Sequence, residues 1–124
     1  MSAPNIVNVT SIIGKTNAIS LTNTNNTELI SNAANSNKVF KINSLVISNV
    51  DGSLNVAVTV NFNSADNIGG TNFELISTGS VPADSTLVVI DKTNQLYLEE
   101  DKSIGVQADV ANKLKAIVSY EEIS

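Results

Sequence analysis

The chain has 124 residues with no cysteine and no histidine, and its seven cationic side chains, all lysine, stand against twelve acidic ones for a formal net charge of −5. A chain of this length forms a single domain with one hydrophobic core, and the missing residue types exclude disulfides, thiolate metal sites, histidine bases and cysteine nucleophiles. The acidic, arginine-free balance argues against nucleic acid as a partner, and no apolar run approaches the roughly 20 residues that cross a bilayer.

The N-terminal third predicts short strands separated by polar loops. Residues Ile6 to Ile13 are apolar without tight alternation, which indicates a short strand or an extended arm that reaches a neighbour. Gly14 ends this run, and Lys15 to Leu21 predicts the next strand. An Asn- and Thr-rich loop follows, then a strand over Thr27–Ser31 and a polar stretch in which two alanines would also allow one helical turn.

The middle of the chain carries the clearest strand signals. Val39 to Val50 has apolar residues in both parities, which predicts burial on both faces or a bulge that switches parity midway. Leu54 to Phe62 has five large apolar residues at period two, as expected for a strand with one buried face. Asp51-Gly52 between them predicts a tight hairpin that pairs the two strands.

The remaining segments complete an all-β pattern. Asn63–Gly70 is predicted as a loop, Pro82 marks a corner, and the apolar run Thr86–Ile90 predicts a central strand. The other predicted strands are Thr71–Ser77, Leu96–Leu98, Ile104–Ala108 and Leu114–Tyr120. Eight or nine strands at this spacing predict a single-domain β-sandwich over residues 1–124, jelly-roll-like or alternatively immunoglobulin-like, with residues 1–13 as an N-terminal arm.

The acidic residues do not have the spacing of a metal site or of a pair of catalytic carboxylates. Glu99, Glu100 and Asp101 lack the spacing of a Ca²⁺-binding loop and are interpreted as a solvated turn. The loop with Asp66, Asn67, Gly69 and Gly70 is interpreted as a plain loop rather than an ion site. Glu121 and Glu122 are adjacent in a strand, so they point to opposite faces and cannot flank one glycosidic bond. The sequence therefore predicts a non-enzyme without metal or cofactor.

Assembly is the function that the composition favours. Exposed strand edges must be protected, and pairing with copies or with a partner is one way to do so, the alternative being a monomer whose edges are short and covered. The three Phe are assigned to the core, whereas the two Tyr are potential surface contacts. The predicted protein–protein contact residues are Ile6, Val7, Val9, Ile12, Ile13, Tyr97 and Tyr120.

Four segments resemble a family of known proteins. The segments Lys38–Asp51, Ser80–Ile90, Leu96–Glu100 and Val118–Ser124 are similar to small virion structural proteins of marine tailed bacteriophages, especially those that infect cyanobacteria. The resemblance implies a non-enzymatic β-sandwich present in many copies on the particle. Asp101-Lys102 departs from the family, in which a Gly-Asp turn is common at this place, and no catalytic residue can be carried across.

The resemblance and the composition together suggest a particular role. An acidic domain would be repelled by packaged DNA and suits the outer surface of a shell. We therefore expect a capsid decoration or cement protein, made in the host cytoplasm without a secretion signal and located on the virion surface. Its partners would be the major capsid protein or another virion protein and itself, as a homotrimer. The alternatives are a tail, neck or fibre component and a glycan- or receptor-binding module.

Overall fold

The computed structural model describes residues 11–124, so the predicted contacts at Ile6, Val7 and Val9 lie outside the described residues. This part of the chain forms nine strands and one short 3-10 turn at Asp66–Ile68. The strands are β1 (Ile12–Ser20), β2 (Thr27–Asn32), β3 (Val39–Asn49), β4 (Val56–Asn63), β5 (Asn72–Val81), β6 (Thr86–Ile90), β7 (Leu96–Leu98), β8 (Lys102–Ala108) and β9 (Leu114–Ile123).

The strands form two antiparallel sheets that pack face to face. Sheet A has the order β1-β9-β3-β6, with β7 also paired to β3, and sheet B has the order β2-β8-β4-β5. The chain crosses from one sheet to the other at most connections, and β9 lies next to β1. This connectivity of eight long strands in two four-stranded layers is that of a jelly roll. The prediction of a single-domain β-sandwich is confirmed.

The core lies between the sheets, where alternate residues of each strand meet. On β9 the inward positions Leu114, Ala116 and Val118 are at most 1% exposed, and the residues between them face outward. On β4 the inward positions are Val56, Val58 and Val60, all fully buried. Period-two alternation thus places one apolar row of each strand in the shared layer.

The predicted parity switch in β3 is a bulge. The register of β3 against β9 shifts between Ile42 and Ser44, and a second shift against β6 lies between Leu45 and Val46. The extra residue turns Leu45 and Ile47 inward after Ile42, and all three are fully buried. A bulge therefore explains the doubled apolar pattern of this segment.

The predicted hairpin at Asp51-Gly52 is wrong, because β3 belongs to sheet A and β4 to sheet B. The connection is a crossover in which Asp51 accepts hydrogen bonds from the backbone N–H of Ser53 and Leu54, at 3.1 and 2.6 Å. Gly52 does not have a positive φ, which a two-residue hairpin turn of that type requires. The aspartate caps a wider turn instead.

Two other local predictions differ from the structure. Thr86–Ile90 forms β6, which lies at the edge of sheet A rather than in its centre, and its Val88 is 54% exposed on the outer face. Gly14 does not end a strand, since β1 runs through it in unbroken register with β9. An edge strand pairs with a neighbour on one side only. The apolar content of β6 therefore did not show that it is central, and Gly14 did not show that β1 ends there.

Candidate assembly surfaces

The four sheet edges differ in how they are protected. Both sheets end on the same two sides of the sandwich, β1 close to β2 and β5 close to β6. The pairing of β2, β5 and β6 with their neighbours is interrupted by register shifts, and β5 has two of them. Bulges twist an edge strand so that a strand of another chain cannot pair with it regularly. In the described part of the chain, β1 is the long edge strand that has no such shift.

The side chains of β1 are exposed on both faces. Eight of its nine residues are exposed and Ile19 is half-buried, although Ile12 and Ile13 are large apolar residues that are 55% and 49% exposed. The strand therefore extends past the layer that sheet B covers. It adds main-chain pairing to sheet A and almost nothing to the core.

The hydrogen-bond pattern shows which backbone groups of β1 point away from β9 and have no strand partner among residues 11–124. Ser11 and Ser124 bond each other through both N–H groups, at 3.0 and 2.9 Å, and the N–H of Leu21 donates to the carbonyl of Leu114 at 2.9 Å. Antiparallel pairs alternate between bonded and non-bonded, so the odd-numbered residues of β1 face β9. The N–H and C=O groups that point away from the sheet belong to Ile12, Gly14, Thr16, Ala18 and Ser20.

The single charged residue of β1, Lys15, does not protect this edge from pairing with another strand. The ammonium of Lys15 lies 2.8 Å from Glu122 on β9, and Lys38 approaches the other oxygen of the same carboxylate at 2.8 Å. These hydrogen bonds, from Lys15 and then from Lys38, lower the pKa of Glu122, and the bond to Glu122 raises the pKa of Lys15. Lysine on an edge strand normally opposes pairing with another chain, but this one is directed back to its own sheet.

The opposite side of the sandwich has an apolar patch on β5. Phe73 and Leu75 are 57% and 40% exposed, so the assignment of Phe73 to the core is wrong; it lies beside Phe62 in the register of β4 and β5. Thr78 farther along β5 has a φ of 48° at the second register shift. The backbone of β5 is thus a poor template for a new strand, while its side chains offer apolar contact area.

The remaining predicted contact residues have different environments. Ile12 and Ile13 lie in β1 rather than in a free arm, Tyr97 on β7 is 48% exposed, and nothing beyond exposure links it to the β1 edge. Tyr120 is wrong as a surface contact because it is only 7% exposed and its ring packs on Phe40 with a centroid distance of 5.1 Å. Tyr120 continues the row of inward-facing residues that begins at Leu114 in β9. The period-two alternation that places it there was present in the sequence.

The acidic residues have structural contacts. Glu100 is 6% exposed and accepts the N–H of Asn37 at 2.8 Å, so the prediction of a solvated turn is wrong for this residue. Asp101 accepts the N–H of Asp66 at 3.2 Å, which ties the two predicted loops together. Within residues 11–124, no three His, Cys, Asp or Glu side chains are grouped to hold a metal ion.

A shallow groove lies on the outer face of sheet B. It has a volume of about 240 Å³ and is lined by Ala57, Thr59, Thr78, Gln107, Ala108 and Asp109. The carboxylate of Asp109 accepts the N–H of Ala57, and the hydroxyl of Thr59 accepts the N–H of Thr78. These polar groups therefore hold the ends of β4, β5 and β8 together.

The fold defines the class of the protein as a single-domain jelly-roll β-sandwich. No protein-family model and no curated protein matches the chain. A solved structure that is similar to it comes from Bacillus endospore appendages, which form a family of disulfide-linked pili. The two structures have a TM-score of 0.55 and 13% sequence identity over 92% of this chain and 88% of the other. Residues 11–124 contain no helix long and apolar enough to span a membrane.

Proposed function

We propose that this chain is a non-enzymatic structural protein that forms multi-copy assemblies through the free edge of β1. The observation that carries the proposal is the nine-residue, unbulged edge of β1, whose outward backbone groups pair with no other strand of residues 11–124. Open edges of this kind are templates for β-strand addition. Main-chain hydrogen bonds would supply the affinity.

The edge with matching geometry is β1 of a second copy. A two-fold axis would align two regular edges antiparallel, so that the outward N–H groups of one strand meet the outward carbonyls of the other. Ile12 and Ile13 would then lie in the new contact. The apolar patch of Phe73 and Leu75 on the opposite side would give such pairs a second surface through which they grow.

The comparison with solved structures supports an assembling protein at the level of the fold. The Bacillus appendage protein forms pili, so a sandwich of this kind serves in polymers. Those pili are disulfide-linked, whereas this chain has no cysteine. Assemblies of this chain would therefore have no disulfide links, and we expect them to dissociate in denaturant without a reductant.

The experiment is an edge-blocking substitution with a matched control. Ala18→Pro removes an outward N–H and leaves the bonds to β9 in place, because Pro is tolerated on an edge strand where its nitrogen faces solvent. Ala18→Thr keeps the N–H. We expect Ala18→Pro to give a lower mass by light scattering than Ala18→Thr at the same concentration, and Ala18→Thr to assemble like the original chain. Equal assembly of both variants would overturn the role of the β1 edge.

Capsid decoration is the setting that we propose for this assembly, on the outer surface of a virion with the major capsid protein as partner. Its support is the sequence resemblance to phage virion proteins and the acidic, arginine-free composition. The test mixes the purified protein with capsids stripped of small outer proteins. Rebinding of the assembled protein to the shell would support decoration, and a protein that does not bind capsids would favour a tail, neck, fibre or glycan-binding role.

A further inference from the structure

The contribution of β1 to the core is much smaller than that of the edge strand beside it. In β2 the side chains of Leu29, Ile30 and Asn32 are at most 4% exposed, whereas β1 has a single half-buried residue, Ile19. Detaching β2 would open the core. Detaching β1 would expose mainly the edge of β9, which stays paired with β3 on its other side.

The interactions that hold β1 come almost entirely from one neighbour. Its backbone pairs with β9 from Ile12 to Ser20. Three side-chain contacts also go to β9: Lys15 to Glu122 at 2.8 Å, Thr16 to Ser119 at 3.2 Å and Lys115 to Ser20 at 2.9 Å. A second copy of the chain carries the same β9 and can supply every one of these contacts.

The chain is anchored directly after β1. Leu21 is 1% exposed, its N–H donates to Leu114 and its carbonyl accepts the N–H of Asn112 at 2.8 Å. Rotation at Ser20 would therefore release β1 without moving the residues that follow. A nine-residue strand extends about 30 Å at roughly 3.4 Å per residue, which is enough to reach a neighbouring molecule.

We propose that β1 leaves its own sheet and takes the same place on β9 of a second copy. Because the interactions that break within one molecule re-form identically between two, protein concentration decides the balance, as in other exchanges of an identical element between protomers. The inference rests on the proposed function in that the partner is a second copy. It differs from edge pairing, in which β1 keeps its own β9 and adds a strand on the other side.

A pair of cysteines reports where β1 lies. Thr16 and Ser119 face each other in a non-bonded pair, the closer kind, and the chain has no other cysteine. Thr16→Cys and Ser119→Cys are made in separate chains of different mass, mixed at high concentration and oxidised in a glutathione buffer. Exchange predicts a disulfide heterodimer at least tenfold in excess of either homodimer. Heterodimer at or below the homodimer level would overturn exchange.

Two further variants separate this inference from the proposed function. Oxidised Thr16→Cys/Ser119→Cys in one chain fastens β1 to its own β9, so exchange stops while the free edge remains available. Ala18→Pro blocks the free edge and leaves exchange intact. A second pair of single-cysteine chains, Ala18→Cys and Ile117→Cys, repeats the heterodimer test if Thr16→Cys or Ser119→Cys lowers the melting temperature. Ala18 and Ile117 also form a non-bonded pair. Val46→Cys/Ile117→Cys, between β3 and β9, is the control that should give only intramolecular bonds.

Discussion

The side-chain amide of Asn49 donates a hydrogen bond to the carbonyl of Val81 at 2.9 Å and so joins the end of β3 in sheet A to the end of β5 in sheet B. The same nitrogen donates to the carbonyl of Leu54 at 2.8 Å, and the amide oxygen accepts the N–H of Asp51 at 2.9 Å. Asn49 is 3% exposed. One buried side chain thus fixes the crossover between the two layers.

Asn49→Ala should lower the free energy of unfolding by about 2–4 kcal/mol, because it removes the buried bond to the carbonyl of Val81 together with the part-buried bond to Leu54. Urea denaturation gives the value. Asn55→Ala is the control, since Asn55 makes one exposed hydrogen bond, to the N–H of Ala83, and should cost less than about 1 kcal/mol. Equal losses for the two variants would contradict a special role for Asn49.

Asn61 and Asn63 should respond in opposite directions to the same substitution. Both are buried on the outer face of β4, but the side-chain oxygen of Asn61 has no hydrogen-bond partner and its nitrogen makes one long bond of 3.4 Å to Asn26. Asn63 bonds the N–H of Ala65 and Gly70 through its oxygen and Asn72 and the carbonyl of Gly70 through its nitrogen.

Asn61→Val should therefore be neutral or stabilise the protein by up to about 1 kcal/mol, and Asn63→Val should destabilise it by about 2–4 kcal/mol. Thermal melts of the two variants side by side provide the measurement. A loss of stability in Asn61→Val as large as that in Asn63→Val would show that the Asn26–Asn61 contact matters more than the unpaired oxygen.

Acid should destabilise the crossover between β3 and β4. The hydrogen bond from Lys113 at 2.9 Å, together with those from the N–H groups of Leu54 and Ser53, lowers the pKa of Asp51 to about 2. A carboxyl group with a lowered pKa stabilises the fold above its unfolded value, near 3.8, and this contribution is lost as the pH falls toward 2.

Asp51→Asn should accordingly flatten the decline in stability between about pH 4 and pH 2, measured by urea denaturation at each pH. Lys113→Met should flatten it in part, because the backbone donors remain. Lys115→Met removes a charge two residues along the chain, where the partner is Ser20, and should keep the original slope. An unchanged slope in Asp51→Asn would mean that other carboxyl groups set the acid limit.

Lys15→Met should loosen β1 and leave the rest of the sandwich unaffected. The interaction it removes is the partly exposed pair with Glu122, so the amides of Ile13, Asn17 and Ile19 should exchange with deuterium about two- to fivefold faster. Native-state hydrogen exchange followed by NMR resolves these amides. Lys92→Met on an exposed turn is the control, and equal acceleration in β3 after Lys15→Met would contradict a local effect.

The positions of the strands could be predicted from the sequence because alternation is a local property. Leu54–Phe62 and Leu114–Tyr120 carry their period-two signal within a few residues, and both became strands. Which strands pair is set by contacts far apart in the chain. The Asp51-Gly52 signal was local and failed, because Asn49 and Asp51 use their side chains to direct the chain into the other sheet.

The assembly surface could be predicted only in outline. Ile12 and Ile13 were expected to make contacts, but the sequence indicated a free arm and a break at Gly14, whereas the structure extends β1 through Gly14 along β9. The absence of proline between Ile12 and Ser20 was the signal that the sequence offered for an edge open to pairing. That Lys15 is occupied by Glu122 depends on the pairing of β1 with β9, which no local pattern specifies.

The double hydrogen bond between Ser11 and Ser124 also determines how the domain would bear a mechanical load. Force applied at these two residues separates β1 from β9 at the end where they meet, so the pairs break one after another as in a zipper, at low force. If β1 lay instead on β9 of the next copy, tension along a row of copies would act parallel to the strands and load all the pairs together. A chain of exchanged copies would then resist pulling far better than a single domain held by its ends.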